Sequence, residues 1–364
     1  MRILGIETSC DETAAAVVED GRKLLSNAVA SSVDLHAAYG GVVPEIAARS
    51  HIESILPVIQ ESLNTAKTDW DAIDAIGVTY GPGLGGSLLI GVLTARTLAI
   101  AKNKPLYAVN HVEAHVYANF ITEVDSSQKT EDSRKTQSTV YSLPSTPPHF
   151  PALALIVSGG HTQLVLFKNH FDYQVLGQTG DDAVGEAFDK VAKILGLPYP
   201  GGPSVSRAAE QGDPTAVKLP KSKLDNPYDF SFSGLKTAVL RAAQAYAGKD
   251  FTFPSTELPG ALTDSQKADL AASFQATAIA TLTDGLQMAI KAYKPKSVVI
   301  AGGVAANQAL RQAASKLTLA PIYTDIKLCT DNAAMIAAQA YYQASHKRPQ
   351  ADPYSLTIQP GLSM

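Results

Sequence analysis

The sequence predicts an α/β protein of two lobes, and three observations lead there. Short apolar strands alternate with longer helical stretches, a strand–polar turn–strand unit recurs in the second half, and a break in composition separates the halves. A chain of 364 residues also favours two domains, or one large domain of two lobes. The first strand is Ile3-Leu4-Gly5-Ile6. It runs into the polar turn Glu7-Thr8-Ser9-Cys10-Asp11-Glu12-Thr13, and Ala14-Ala15-Ala16-Val17-Val18 returns as a second strand. This reads as a β-hairpin with hydroxyls and carboxylates at its tip. Residues 44–63 form a helix, because Ile46, Ile52, Ile55, Leu56 and Ile59 keep a mostly helical spacing. An apolar run at 76–80 then enters Gly81-Pro82-Gly83-Leu84-Gly85-Gly86, followed by a helix over 87–101.

Ser, Thr, Lys, Gln and Pro dominate 126–148, which marks a surface insertion or linker. The expected organisation is an N-terminal lobe at 1–121, an insertion at 122–150 and a C-terminal lobe at 151–330. A terminal helix and tail at 331–364 are candidates to pack back on the first lobe. The second lobe opens with the strand Ala152-Leu153-Ala154-Leu155-Ile156-Val157. It continues through the turn Ser158-Gly159-Gly160-His161-Thr162 and the strand Gln163-Leu164-Val165-Leu166-Phe167. An irregular patch at 251–262 precedes a long helix at 267–293. A third glycine turn, Gly302-Gly303-Val304-Ala305-Ala306-Asn307, leads into a helix over 308–317. The last helix, 332–345, starts beside Thr330-Asp331, a pair suited to capping it.

Bulk properties exclude several classes. Hydrophobic content of 45% suits a well-filled core, and no apolar run reaches the roughly 18 residues that span a bilayer. The apolar start is too short for a signal peptide. Only Cys10 and Cys329 occur, so a disulfide framework is excluded and a reducing cytoplasm fits best. A net charge of -4 argues against broad electrostatic capture of nucleic acid, though not against a local basic patch.

The strongest chemical signal is Asn110-His111-Val112-Glu113-Ala114-His115. On a helix, i and i+4 share a face, so both imidazoles can point at one ion. The alternative is a pair of core histidines with no ligand. A zinc-protease H-E-x-x-H site does not fit, because Val112 stands where the general base would be and Glu113 is rotated by about 100°. Gly81 to Gly86 matches G-x-G-x-x-G, but no acidic residue follows near 101–104 to hold a ribose, and Pro82 lacks an N–H. A structural turn is the better reading there. The Ser158-Gly159-Gly160 and Gly302-Gly303 turns are stronger nucleotide candidates, since glycine lets backbone amides approach phosphate. Asp189 could accept from ribose hydroxyls, or pair with Lys190 or Lys193 at the surface. Tyr199-Pro200-Gly201-Gly202-Pro203 suits a pocket wall or a tight connection.

Taken in order, these blocks resemble the TsaD family of tRNA threonylcarbamoyladenosine biosynthesis proteins, a universal group once labelled O-sialoglycoprotein endopeptidases. The matching segments begin with Gly5-Ile6-Glu7-Thr8-Ser9-Cys10-Asp11-Glu12-Thr13 and Pro44-Glu45-Ile46-Ala47-Ala48-Arg49-Ser50-His51. They continue through 80–86, His111-Val112-Glu113-Ala114-His115, 157–162, 186–190, 199–203, 302–307 and Cys329-Thr330-Asp331-Asn332. The resemblance covers the chain from end to end. It implies an actin-like, sugar-kinase-like ATPase fold with a duplicated core and a ligand in the cleft.

It further implies that His111, His115 and Asp331 ligate one divalent metal, iron(II) foremost and zinc(II) as the alternative. Ile156, Val157, Ser158, Gly159, Gly160, Asp189, Gly202 and Asn307 would line the substrate pocket. The implied reaction moves threonylcarbamoyl from its adenylate to the N6 amine of adenosine 37, in tRNAs reading codons that begin with A. Asp11 and Glu12 are candidates to move a proton or position groups, with solvated turn acids as the plain alternative. Implied partners are tRNA, TsaB-like and TsaE-like proteins, and a TsaC-like synthase that supplies the adenylate; ATP is a further candidate ligand. Competing functions are a carbamoyltransferase with a small acceptor and a non-catalytic actin-like nucleotide switch. The insertion at about 126–150 is longer than in typical bacterial members. Lys190, Lys193, Arg207, Lys221, Lys223, Lys236 and Arg241 are candidates for a tRNA-facing patch, or a scattered solvated surface.

Overall fold

The computed structural model describes residues 1–125 and 142–364, so 126–141 of the expected insertion lie outside the described residues. The chain divides into two compact units. Unit 1 comprises Met1–His36, Val42–Pro148 and Tyr323–Met364, and unit 2 comprises Ala37–Gly41 and His149–Ile322.

Unit 1 is built on a six-stranded sheet. Elements numbered along the chain are β1 (Arg2–Glu7), β2 (Glu12–Glu19), β3 (Lys23–Ser31), α1 (Val33–Ala37), α2 (Pro44–Thr65), β4 (Ala75–Gly81), α3 (Gly85–Lys102), β5 (Leu106–Asn110), α4 (His111–Tyr117) and β6 (Glu123–Val124). Its strand order is β5-β4-β1-β2-β3-β6. β1, β2 and β3 form an antiparallel meander, and β4 joins β1 in parallel after a helical crossover. Asp20 and Gly21, at φ 53° and 64°, make the tight β2–β3 turn, where Arg22 N donates to Glu19 O. β1 is central and covered on both faces, so its residues form an almost unbroken apolar run.

The two faces of this sheet carry different side chains. Leu4, Ile6, Ala15, Val17, Ile76 and Val78 pack with Ile55, Val58 and Ile59 of α2 and Val92 and Ala95 of α3. The opposite face carries Gly5 and Gly77, and there the C-terminal helix α11 (Ala333–Ser345) lies almost on the strands. A Cβ on Gly5 would meet Ala333 O at 2.2 Å, and one on Gly77 would meet Ala340 Cβ at 2.6 Å. β2 begins at Glu12, two residues earlier than expected, because Glu12 already pairs with Ser31. Glu7 is likewise a strand residue, paired with Ala14. α3 falls where a helix over 87–101 was expected. An 18-residue window with mean hydropathy 1.2 makes it long and apolar enough to cross a membrane, and 33% of that window is buried. Contiguous runs missed it because Gly91, Thr94 and Arg96 interrupt the apolar residues.

Unit 2 repeats the theme. It contains β7 (Ala152–Val157), β8 (Thr162–Asn169), β9 (Asp172–Gln178), α5 (Val184–Leu195), α6 (Gly201–Ala209), α7 (Ser233–Tyr246), α8 (Leu258–Ala261), α9 (Asp264–Tyr293), β10 (Ser297–Ala301) and α10 (Gln308–Ala314). The strand order is β10-β7-β8-β9, again an antiparallel meander with one parallel strand beside its first member. The same topology, β4-β1-β2-β3, stands at the heart of unit 1. This repeated meander-plus-crossover is a duplicated core. The α/β expectation and the recurring strand–turn–strand unit are therefore borne out.

Candidate functional site

In unit 1 the chain passes directly from β5 into α4, and Asn110 makes the junction. Its side chain accepts from Val112 N at 2.9 Å and from Glu113 N at 3.2 Å, capping the helix so that His111 is its first residue. His115 follows one turn later on the same face. Both imidazoles are buried, with ring centroids 4.8 Å apart and planes at 79°. Asp331 arrives from the far end of the sequence. Its Oδ1 lies 3.4 Å from His111 Nε2 and 3.4 Å from His115 Nε2.

Asp331 is free for this because it does not cap α11. That role falls to Asn332, which accepts from Met335 N at 3.1 Å and donates to Leu328 O and Thr330 O. The expected Thr330-Asp331 cap is thus corrected by one residue. His111, His115 and Asp331 offer ligand atoms that all lie within 4.8 Å of one another. A tetrahedral ion with bonds of about 2.1 Å separates its ligands by about 3.4 Å. Among the described residues, both ring nitrogens of His115 are buried without a hydrogen-bond partner, an expensive state unless a ligand satisfies one of them. The donor set therefore fits a divalent metal.

Charges around these residues are tightly coupled. Glu7, fully buried at the end of β1, lies 3.1 Å from His111 Nδ1 through Oε2. Burial pushes the His111 imidazole down, but Asp331 and Glu7 outweigh it and hold its pKa well above the usual value. Burial alone would raise Asp331, yet the two histidines hold it far below the ordinary carboxylate range. Glu7 is also held low, by His111 and by the Thr79 hydroxyl, against its burial and the charge of Asp331. Glu12 moves the other way. Burial, then the charges of Asp331 and Asp11, push its carboxyl up to about 9.

The tip carrying Asp11 and Glu12 is pinned from α2 and α3. His51 Nδ1 lies 2.8 Å from Thr13 Oγ1 and its Nε2 lies 3.0 Å from Cys10 O, which also accepts from Ser87 Oγ at 3.1 Å. The raised Glu12 pKa has a measurable consequence. Between the ordinary value of 4.5 and about 9, the folded chain keeps a proton that the unfolded chain has lost. Stability then falls as pH rises through that window. In metal-free protein, Glu12→Gln is expected to raise the melting temperature over wild type, little at pH 5 and most near pH 9. A difference that stays flat with pH would refute this account of Glu12.

In unit 2, Ile156 and Val157 end β7 fully buried, and Ser158, Gly159 and Gly160 form the turn beyond it. Ser158 N donates to His161 O at 2.8 Å, and His161 N donates to Ser158 Oγ at 3.1 Å, closing the turn. A Cβ on Gly159, Gly160 or Gly202 would meet nothing within 4 Å, so backbone there is open to a ligand. Gly302, at φ 92°, abuts Val157 O, where a Cβ would come within 2.5 Å. Asp189 Oδ1 accepts from Gly201 N at 2.7 Å, at the start of α6, while Lys190 pairs instead with Asp182 and Glu186. Asn307 caps α10 through Leu310 N at 2.9 Å, and its Nδ2 donates to Ser206 Oγ and Gln275 Oε1. Ser206 Oγ in turn reaches Gly202 O at 2.9 Å. Asp189, Gly202 and Asn307 are thus gathered around α6. The Gly81 to Gly86 loop is different: Gly83 N donates to Pro360 O and Leu84 N to Ser9 O, so these two amides are already used within the protein.

A family model described as TsaD: tRNA N6-adenosine threonylcarbamoyltransferase matches residues 23–130 and 135–338. The chain belongs to the TsaD family. A Thermomicrobium roseum protein named tRNA N6-adenosine threonylcarbamoyltransferase is 51% identical over 354 residues, covering 94% of this chain and 92% of that protein. A protein of the same name from Dehalococcoides mccartyi is 45% identical over 366 residues, covering 100% and 99%. Among solved structures, component A of the Acidaminococcus fermentans (R)-2-hydroxyglutaryl-CoA dehydratase is similar with a TM-score of 0.47 at 16% identity, covering 95% of this chain and 99% of that one.

In this TsaD-family chain the structure adds residues that sequence reasoning passed over. Glu7 was grouped with the turn acids, although a carboxylate ending the apolar run Ile3-Leu4-Gly5-Ile6 is itself a signal of a buried role. His51, Ser206 and Gln275 carried no local signal. Several expected patch cations are paired: Lys190 and Lys236 with Asp182, and Lys221 with Asp284. Arg241 donates to Gln244 and Phe251 O.

Proposed function

We propose that this TsaD-family protein transfers the threonylcarbamoyl group from threonylcarbamoyl-adenylate to the N6 amine of adenosine 37, in tRNAs reading codons that begin with A. The amine nitrogen bonds to the carbamoyl carbon, the bond from that carbon to the phosphate oxygen breaks, and AMP leaves while N6 loses a proton. The observation that carries this reading is the His111–His115–Asp331 donor set, two buried imidazoles and a half-buried carboxylate, in a chain 51% identical to a protein of that name. These three residues would hold the ion, iron(II) or else zinc(II), which would supply Lewis acidity toward the oxygens of the threonylcarbamoyl group.

Other roles follow from side-chain chemistry. Gly159 and Gly160 would offer backbone amides to the adenylate phosphate, while Ile156, Val157 and Ser158, whose strand and turn are already hydrogen-bonded, would form the wall behind them. Asp189, Gly202 and Asn307 would hold its nucleoside part, with Asn307 steadied by Gln275 and Ser206. At the pinned tip, Asp11 would receive the proton of the amine, and Glu12, still protonated below about pH 9, would position that amine. The reading also takes TsaB-like and TsaE-like proteins as partners, a TsaC-like synthase as the source of adenylate, and the cytoplasm as the site of action.

The test supplies purified protein and these partners with unmodified tRNA and adenylate made from labelled threonine. Label is expected in the nucleoside of adenosine 37, with one AMP released per threonine transferred. Label on a small acceptor instead, or nucleotide-driven change of shape without any transfer, would overturn the proposal.

A further inference from the structure

Glu7 is a fully buried carboxylate that follows the apolar residues Ile3 to Ile6 of its strand, and such a group is retained only where its lone pairs are used. Three donors use them. Ser9 N reaches Oε1 at 2.5 Å, Thr79 Oγ1 donates to Oε2 at 2.5 Å, and His111 Nδ1 lies 3.1 Å from Oε2. We infer that Glu7 is the positioning residue of the metal centre: it holds the proton of His111 on Nδ1 and so aims the Nε2 lone pair at the ion.

The competing arrangement is visible in the same pocket. Ser9 Oγ also lies 3.1 Å from His111 Nδ1, and a hydroxyl can either donate or accept. Were Ser9 to donate, Nδ1 would be bare, the proton would sit on Nε2, and that nitrogen could not bind a cation. An ionised carboxylate only accepts, so Glu7 decides between the two tautomers. Its charge also raises the basicity of the ring it touches. Thr79, on β4, fixes the carboxylate itself, so this orientation is built across two neighbouring strands.

His115 has no such partner. Neither of its ring nitrogens is hydrogen-bonded among the described residues, so no protein group of that set fixes its tautomer. The two imidazoles are therefore unequal: His111 is oriented in advance, and His115 adapts.

The inference rests on the metal reading of His111, His115 and Asp331, and the experiment separates the two. Zinc is titrated into metal-stripped full-length protein against a competing chelator, for wild type and for Glu7→Gln, which keeps the side-chain volume but not the charge. The expected result is a zinc affinity lowered by about 10–100-fold in the variant. Nitrogen-15 spectra of zinc-loaded wild type should find the His111 proton on Nδ1, a readout that needs no variant to fold. Wild type that takes up no zinc overturns the metal reading and this inference with it. Equal affinities in the two proteins, or a His111 proton absent from Nδ1, overturn the role of Glu7 alone.

Discussion

Asp331→Ala is expected to strip the protein of its ion and to lower threonylcarbamoyl transfer by more than about 100-fold, beyond the loss typical of an outer-shell change. Asp331 is the one anionic member of the donor set, and a single oxygen lies 3.4 Å from both imidazoles. Without it, two neutral nitrogens remain for a divalent cation, and the charge that offsets the burial of the cation is gone. Asp331→Asn keeps an oxygen in place without the charge, so it should fall between wild type and alanine. Elemental analysis of the purified variants, alongside transfer of labelled threonine to tRNA, measures both effects. An alanine variant that keeps its metal and its rate would sink the assignment.

A second large effect is expected far from any ligand atom. Gly5→Ala should destabilise the fold by about 1–3 kcal/mol or more, the usual scale for overpacking a filled core. The added methyl would sit 2.2 Å from Ala333 O and 2.7 Å from Ala337 N, and backbone cannot swing aside as a flexible side chain can. α11 must then lift from the sheet, and Asp331 lies just before its cap Asn332. Zinc affinity is expected to fall together with stability. Gly160→Ala is the control, because a methyl there meets nothing within 4 Å and the fold should be unaffected. Urea unfolding and zinc titration of both variants check this, and a Gly5→Ala protein as stable as wild type contradicts the packing argument.

Legibility in the sequence followed the range of the interaction. The β1–β2 and β7–β8 hairpins were readable because strand, polar turn and strand are neighbours in the chain. The helices at 44–63, 87–101 and 267–293 were found within a few residues, since periodicity is local. The His111–His115 pair was legible for the same reason. Asp331 was joined to it only by family resemblance, because no local pattern relates residues so distant. The pairing of Glu7 with His111 was hidden because β1 and α4 meet only through the tertiary fold. Whether the 81–86 loop offers its amides to a ligand depended on Pro360 and Ser9, which no motif includes.

The return of Tyr323–Met364 to unit 1 also sets a schedule for biosynthesis. Translation at about 5–20 residues per second releases the imidazole pair some ten to forty seconds before Asp331. Throughout that interval the nascent polypeptide carries the two imidazoles without the carboxylate that stands beside them in the finished fold. Ribosomal truncation products that stop short of Asp331 therefore lack the carboxylate of the donor set altogether.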